Sequence, residues 1–206
     1  PLRRQRQMCI RDRLVPGSEL LVKNVGTNFT RAGFLKVCKA MGADIETVSQ
    51  TIEGGESRAD LLVRYSHLKG TVIEGDIIPT LIDEIPMIAV MAAFADGTTV
   101  IRDAQELKVK ESDRITVMVD NLKRMGADIE GTEDGMIIHG GKPMHGAAID
   151  SHLDHRVAMS FAVAGTICDG TMDILNGDCV NISYPEFYND LYSLSLIHIS
   201  EPTRRT

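Results

Sequence analysis

The sequence predicts an α/β fold turned inside out, in which a core of helices is wrapped by sheets. Two stretches, MIAVMAAFA at 87–95 and VAMSFAVAGTIC at 157–168, are apolar on every side, which is typical of helices that are buried all round. The predicted strands place charged residues between apolar ones, as in LLVRY at 61–65, and such strands expose one face. Buried helices and half-exposed sheets reverse the usual layered arrangement.

An internal repeat supports this fold class. Two helix patterns end in the same five residues, GADIE, at 42–46 and 126–130, where the glycine caps the helix and a strand follows. Each buried helix is likewise followed by Asp-Gly-Thr and a short strand. Each copy therefore reads strand, helix, strands, helix, strand, and the two copies cover about 18–104 and 104–178.

The individual helices follow from apolar spacing. Ile115, Met118, Leu122 and Met125 recur at helical intervals, so a helix is expected to begin at the polar residues just before Ile115. The predicted helices cover 31–41, 85–95, 114–125 and 156–168, and the strands after the buried helices cover 99–102 and 172–175.

Charge and cysteine content narrow the class of protein. The 206-residue chain has a formal net charge of −7, but its two ends hold seven arginines against two acids; removing that +5 leaves −12. So acidic a body argues against general nucleic-acid binding, and the longest apolar runs are too short to cross a membrane. Cys38, Cys168 and Cys179 have neither disulfide nor metal spacing, which predicts a reducing, cytoplasmic location.

The two ends are predicted to be non-native. MCIRDR at 8–13 can be encoded by a DNA segment whose complementary strand encodes LSLIH, the residues at 194–198. This inverted repeat resembles the translated transposase adapter left on a sequencing fragment. We therefore expect residues 1–13 and 194–206 to be adapter-derived, and the native domain to cover 14–193. A basic N-terminal arm that binds nucleic acid is the alternative interpretation.

Chemically useful residues gather at three predicted helix starts. Lys110, Glu111 and Arg114 are spaced so that they should share one face of a first turn. Asp83-Glu84 precedes one buried helix, and Asp154-His155-Arg156 opens the other. Taken singly, each is typical of a capped or salt-bridged helix start.

Together these helix starts indicate a binding site. Helices packed side by side can present their N-termini at one end of a fold. The result would be a cationic cleft that contains carboxylates and an imidazole, suited to an anionic substrate and to acid–base chemistry.

These segments resemble the EPSP synthases, the 3-phosphoshikimate 1-carboxyvinyltransferase family of enolpyruvyl transferases. The resemblance covers essentially all of 14–193. Its motifs are VKESDR at 109–114, DHRVAM at 154–159, the run 83–94, the segment 16–35 and SYPEF at 183–187. It implies an inside-out α/β barrel, or alpha-beta prism, of βαβαββ units with buried parallel helices and outer sheets. It also implies that this chain holds only the C-terminal portion of the enzyme.

The resemblance implies a reaction between phosphoenolpyruvate and shikimate 3-phosphate. The 5-hydroxyl of shikimate 3-phosphate attacks C2 of phosphoenolpyruvate while C3 is protonated, and the tetrahedral intermediate then loses phosphate. No metal or organic cofactor is required. The complete protein is expected to be a monomer without nucleic-acid or membrane partners, and the 206 residues alone are expected to be inactive.

The resemblance also assigns roles to residues of this chain. Asp83 contacts the target hydroxyl and acts as the base, Glu111 donates the proton to C3, and His155 orients or tunes Glu111. The substrates are bound by Asp83, Lys110, Arg114 and Arg156, with Lys110 beside the shikimate hydroxyls and the two arginines on phosphoenolpyruvate.

Supporting roles and one departure complete the comparison with the family. Asp113 and Asp154 are expected to brace their neighbours, and Glu84 to have a local structural role. Some family members carry a lysine shortly before the last motif, where this chain has Ile182. One substrate contact of those members is therefore absent here or not needed.

Two other functions fit parts of the pattern. The sister transferase that acts on UDP-N-acetylglucosamine would share the fold, although VKESDR and DHRVAM favour the shikimate enzyme. A non-catalytic scaffold that binds phosphorylated ligands through its helix ends would not need carboxylates among its cations.

We expect the native gene to diverge from the codons for 1–13 and 194–206. Amplifying the locus from source DNA and sequencing across both junctions is the measurement. A native gene that continues with these same end codons would refute the adapter interpretation.

Overall fold

The computed structural model describes residues 17–28 and 33–197. Its helices are α1 (Gly33–Ala40), α2 (Ile85–Phe94), α3 (Arg114–Arg124), α4 (His155–Gly165) and α5 (Phe187–Ile197). Its strands are β1 (Glu19–Gly26), β2 (Asp44–Glu53), β3 (Glu56–Arg64), β4 (Val72–Ile73), β5 (Thr98–Ile101), β6 (Asp128–Gly131), β7 (Met136–His139), β8 (Ala148–Asp150) and β9 (Asp173–Leu175). Short 3-10 turns cover Gly75–Thr80, Ile82–Glu84, Gln105–Val109 and Gly177–Ile182.

The strands of the described ranges form three sheets. The first is antiparallel in the order β1-β3-β2, and the second has the order β4-β5-β7-β6, in which β4 and β5 are parallel. In the third sheet β8 pairs with β9 in parallel. Along β3 buried and more exposed residues alternate: Leu61 and Val63 face inward, while Arg64 pairs with Glu19 and Glu46 at 2.9 Å on the outer face. The prediction of half-exposed strands is confirmed.

The core is made of helices. In α2 nine of the ten residues are buried, and in α4 nine of eleven are. The two helices pack against each other, and both belong to the main hydrophobic cluster together with α3 and the inner faces of the sheets. The inside-out arrangement predicted from the all-round apolar helices is therefore confirmed.

The repeat is present, with one difference from the predicted order. Gly42 and Gly126 adopt φ values of +84° and +95°, as expected for the glycine after a helix, and β2 and β6 follow them. The second copy, however, has no opening strand of its own within 104–178; the strand before α3 is β5, which also closes the first copy. The 3-10 turn Gln105–Val109 connects β5 to α3, and its backbone is coiled rather than extended, so it cannot serve as the predicted opening strand.

The predicted ends fall largely outside the described residues. Residues 1–13 and 198–206 are not among them, nor are the first two residues of the predicted helix 31–41. Helix α5 continues to Ile197, four residues into the stretch predicted to be adapter-derived. The domain boundaries stay a prediction. None of the helices in the described ranges has the length and apolar composition that a membrane span requires.

Removing a large side chain from the helix core should be costly. Phe161 on α4 is 0 % exposed, so we expect Phe161→Ala to lower the free energy of unfolding by about 3–5 kcal/mol through lost burial and a residual cavity. Ile52, on the outer face of the first sheet, is 76 % exposed, and Ile52→Ala should change the free energy of unfolding by less than about 0.5 kcal/mol. Urea denaturation measures both; similar losses for the two variants would contradict a helix-centred core.

Candidate active site

Helix α3 begins one residue after an acidic cap. The carboxylate of Asp113 accepts hydrogen bonds from the Thr116 backbone N–H at 3.2 Å and from the Thr116 hydroxyl at 2.8 Å. Arg114 is thus the first helical residue. The prediction that Lys110, Glu111 and Arg114 share a face of the first turn is wrong, because Asp113 caps the helix after the first two and Lys110 is extended, with ψ −157°.

The buried guanidinium of Arg114 joins the three helix starts. Its side chain is 1 % exposed, and Nε donates to Oδ2 of Asp154 at 2.7 Å. Nη2 donates to Oε2 of Glu111 at 2.5 Å, and Nη1 to Oδ1 of Asp83 at 3.4 Å. A buried cation is stable only when it is paired and hydrogen-bonded, and these three carboxylates meet that requirement.

Asp154 is the fully buried carboxylate of this cluster and also caps α4. Its side chain is fully buried, accepts a hydrogen bond from the Arg156 backbone N–H at 2.9 Å as the cap of α4, and accepts another from Ser112 Oγ at 3.1 Å. Burial alone would raise the pKa of this carboxyl, but the hydrogen bond and charge of Arg114, together with the hydrogen bonds from the Arg156 N–H and Ser112, hold the pKa below its ordinary value. Asp154 is therefore ionised at neutral pH.

Asp83 lies between two arginines. It belongs to the 3-10 turn Ile82–Glu84, and Arg156 places Nη2 3.3 Å from its Oδ2 and donates from Nη1 to its backbone oxygen at 3.0 Å. Glu84, not Asp83, occupies the cap position of α2, and its side chain makes no capping hydrogen bond there. The carboxylate of Asp83 thus faces the arginines instead of its own helix.

His155 lies beside the cluster, whereas Lys110 pairs with a residue outside it. His155 is half-buried at the first residue of α4. Burial and then the charge of Arg156 lower the pKa of its imidazole, and the charges of Asp154 and then Glu111 act in the opposite direction. The ring is therefore neutral at pH 7. Lys110 forms an ion pair with Glu106, four residues earlier, while its side chain stays 22 % exposed.

The structure brings most of the predicted site residues together. Asp83, Glu111, Arg114 and Arg156 form one network of ion pairs, so the predicted convergence of three helix starts is confirmed as geometry. Sequence reasoning missed Ser112, whose hydroxyl supports Asp154. No pattern of spacing signals that contact, since the two residues are 42 positions apart.

Two further observations bear on ligands. Among the described residues, no group of three or more His, Cys, Asp and Glu side chains is arranged to hold a metal ion. Ile182, where the resemblance led us to expect a lysine in some relatives, lies at the end of the turn Gly177–Ile182 and is 80 % exposed.

A helix core enclosed by sheets is the inside-out α/β fold that the chain shares with solved enolpyruvyl transferases. The enolpyruvyl transferase NikO from Streptomyces tendae shares this fold, with a TM-score of 0.69 over 91 % of the chain at 18 % identity. EPSP synthase from Acinetobacter baumannii matches with a TM-score of 0.88 and 40 % identity, over 93 % of this chain and 45 % of that one.

Sequence comparison identifies the family. The family model for EPSP synthase (3-phosphoshikimate 1-carboxyvinyltransferase) matches residues 13–191, and the chain belongs to this family. It is 53 % identical over 182 residues to the 3-phosphoshikimate 1-carboxyvinyltransferase of Alkaliphilus oremlandii, covering 88 % of this chain and 43 % of that protein. It is 50 % identical over 181 residues to the 3-phosphoshikimate 1-carboxyvinyltransferase of Shouchella clausii, covering 88 % of this chain and 42 % of that protein. The chain thus spans less than half the length of these curated relatives.

The Arg114–Asp154 pair should make stability depend on pH. Asp154→Asn leaves the buried guanidinium with two carboxylates, and we expect a loss of about 3 kcal/mol at pH 7, the low end for a broken buried pair. Because the folded-state pKa of Asp154 is lowered, its contribution is complete above the ordinary value of 3.8 and is lost as the pH falls through the folded-state value.

Urea denaturation of both proteins at pH 7 and at pH 3 or below measures this difference. The gap between wild type and Asp154→Asn should narrow at the lower pH. Asp128→Asn, which removes an exposed pair with Lys142, is the control and should have a much smaller effect at pH 7. A gap that does not change with pH would contradict the assigned role of the ionised carboxylate.

Proposed function

We propose that the complete protein transfers the enolpyruvyl group of phosphoenolpyruvate to the 5-hydroxyl of shikimate 3-phosphate and releases phosphate. Membership of the EPSP synthase family supports this function. The observation that carries it in the structure is the buried Arg114, paired with carboxylates from all three helix starts. Since the chain spans 43 % of its relative from Alkaliphilus oremlandii, the activity belongs to the complete protein and the 206 residues alone should be inactive.

The reaction needs one group that removes a proton and another that gives and retrieves one. Attack of the 5-hydroxyl on C2 releases the hydroxyl proton, and C3 gains a proton as the tetrahedral intermediate forms. Phosphate then leaves C2 while C3 loses a proton. We assign the first task to Asp83, whose carboxylate is oriented by Arg114 and Arg156, and the C3 proton to Glu111.

Anion binding falls to Arg114 and Arg156. A guanidinium presents a planar set of donors that matches a carboxylate or phosphate. Glu111 is 49 % exposed and Asp154 is 0 % exposed, so Glu111 is the partner of Arg114 that a substrate anion can replace. Displacement of Glu111 from Nη2 would free both groups: the arginine for phosphoenolpyruvate and the carboxyl for C3.

His155 and Lys110 have supporting roles in this proposal. A neutral imidazole beside the charge of Glu111 can exchange a hydrogen bond with that carboxyl and tune it without adding a second charge. Lys110 pairs with Glu106, whose side chain is 59 % exposed, and this weak surface pair is readily exchanged for the hydroxyls of shikimate 3-phosphate.

The negative charge of this portion means that the rest of the protein must help to attract the anionic substrates. With −12 over 14–193, this portion does not attract two polyanionic substrates by its own field, so the remaining portion must supply positive potential. We further propose a cytoplasmic, monomeric enzyme without a metal or organic cofactor. Cys38, Cys168 and Cys179, the described cysteines, are free thiols, which supports a reducing location.

Asp83→Asn and Glu111→Gln in the complete enzyme test the assignment. Each removes a proton acceptor or donor while keeping the shape of the side chain, so we expect kcat to fall by roughly 10²–10⁴-fold. Phosphate release from phosphoenolpyruvate, measured with and without shikimate 3-phosphate, is the assay. Asp128→Asn, on an exposed surface strand, is the matched control and should keep the wild-type rate.

The alternatives give different results in the same assay. No phosphate release by the wild-type complete protein would favour a binding scaffold, and wild-type turnover in both carboxylate variants would refute the roles assigned to Asp83 and Glu111. Consumption of UDP-N-acetylglucosamine in place of shikimate 3-phosphate would favour the sister transferase. Product formation by the 206-residue chain alone, at a rate near that of the complete enzyme, would refute the need for the remaining portion.

A further inference from the structure

Two side chains of α3 bind the segment that leads into α4. Arg114 and Asn121 are seven residues, or two helical turns, apart, so both side chains project from the same face of α3. They are 1 % and 2 % exposed. Arg114 binds Asp154, and Asn121 binds Asp150, the last residue of β8.

The amide of Asn121 pairs with the backbone of Asp150 as a neighbouring strand would. Nδ2 donates to the Asp150 carbonyl oxygen at 2.7 Å, and Oδ1 accepts from the Asp150 N–H at 3.2 Å. Donor and acceptor are both satisfied, and only an amide can supply both at this distance. The point at which β8 ends is therefore fixed by a side chain of α3.

The four residues between β8 and α4 form a turn that needs such support. His152 and Leu153 have φ values of +49° and +61°, a left-handed conformation that side chains other than glycine rarely adopt. The His152 N–H donates to the Asp150 carboxylate at 2.9 Å, Ser151 Oγ donates to the Leu175 carbonyl oxygen at 2.9 Å, and the Asp154 N–H donates to the Ser151 carbonyl oxygen at 2.9 Å. The turn is held at its start and delivers Asp154 to Arg114.

We infer that Asn121 is a positioning residue for the site. By fixing Asp150 it sets the path of the turn, so that Asp154 caps α4 and orients the guanidinium of Arg114. Asn121 acts through Asp154 and contacts no reacting atom. The catalytic part of this inference rests on the proposed function; the positioning of the turn does not.

The inference predicts which step is affected. Arg114 is assigned to phosphoenolpyruvate, so a displaced turn should weaken binding of phosphoenolpyruvate more than binding of shikimate 3-phosphate. In Asn121→Asp an oxygen replaces Nδ2 and faces the Asp150 carbonyl oxygen, which removes the shorter hydrogen bond while the shape of the side chain is kept. Asn121→Ala removes both hydrogen bonds.

Hydrogen exchange on the 206-residue chain tests the positioning itself. In both Asn121 variants the amides of Asp154 and Arg156, each hydrogen-bonded in the turn or cap, should exchange at least about tenfold faster relative to amides of β5 and β7. Val63→Ala, a cavity variant in β3 of the first sheet and so outside both the turn and the reference strands, is the control for general loss of stability and should not change that ratio. An unchanged ratio in the Asn121 variants would overturn the inference.

Kinetics of the complete enzyme test the catalytic consequence. We expect KM for phosphoenolpyruvate to rise about tenfold or more in Asn121→Asp, since small displacements of a substrate-positioning group are costly, while KM for shikimate 3-phosphate stays near wild type. A role confined to stability would lower the amount of active enzyme and leave both KM values unchanged, which would overturn the catalytic part. An inactive wild-type enzyme would refute the proposed function instead, and the exchange measurement would still decide the positioning.

Discussion

The structure depends on a buried positive charge that is shared by three helix starts. The guanidinium of Arg114 is almost fully removed from water, and desolvation of an isolated charge would cost far more than a domain of this size can offset. It is tolerated because Asp83, Glu111 and Asp154, from three separate segments, reach it together. The requirement to pair this charge therefore fixes how α2, α3 and α4 are arranged at one end.

The rest of the fold brings the charge and its partners to that end. α2 and α4 are apolar on nearly all sides and pack together in the core, so their first residues lie close to each other. The sheets enclose the helices and turn their charged residues, such as Arg64, towards water. Among the described residues, the buried charged side chains all lie at helix starts: Glu84, Arg114, Asp154 and Arg156.

Sequence patterns predicted the features that depend on local chemistry. The all-round apolar helices, the glycine caps at 42 and 126 and the charge-bearing strands are present as expected. The motifs around Arg114 and Asp154 identified the residues that meet at the cluster. These predictions succeeded because burial and capping act over a few neighbouring residues.

The features that sequence reasoning missed depend on contacts between distant residues. Spacing placed Lys110 in the first turn of α3, but Asp113 accepts from Thr116 and moves the start of the helix past it. The sequence analysis did not single out Ser112 or Asn121, because their partners, Asp154 and Asp150, are 42 and 29 positions away. His152 and Leu153, the two left-handed residues before Asp154, are not glycines, so the sequence does not predict their backbone conformation.

The shared direction of the helices has an electrostatic cost that the carboxylates offset. Each helix carries a macrodipole whose positive end is its N-terminus, and parallel neighbours place like ends side by side. The carboxylate of Asp154 caps the start of α4 and neutralises that end, while Asp83 and Glu111 offset the charges of Arg114 and Arg156 beside it. An anion bound at these helix starts would take over part of that neutralisation, so the folded state should gain stability from small inorganic anions in proportion to how tightly it holds them.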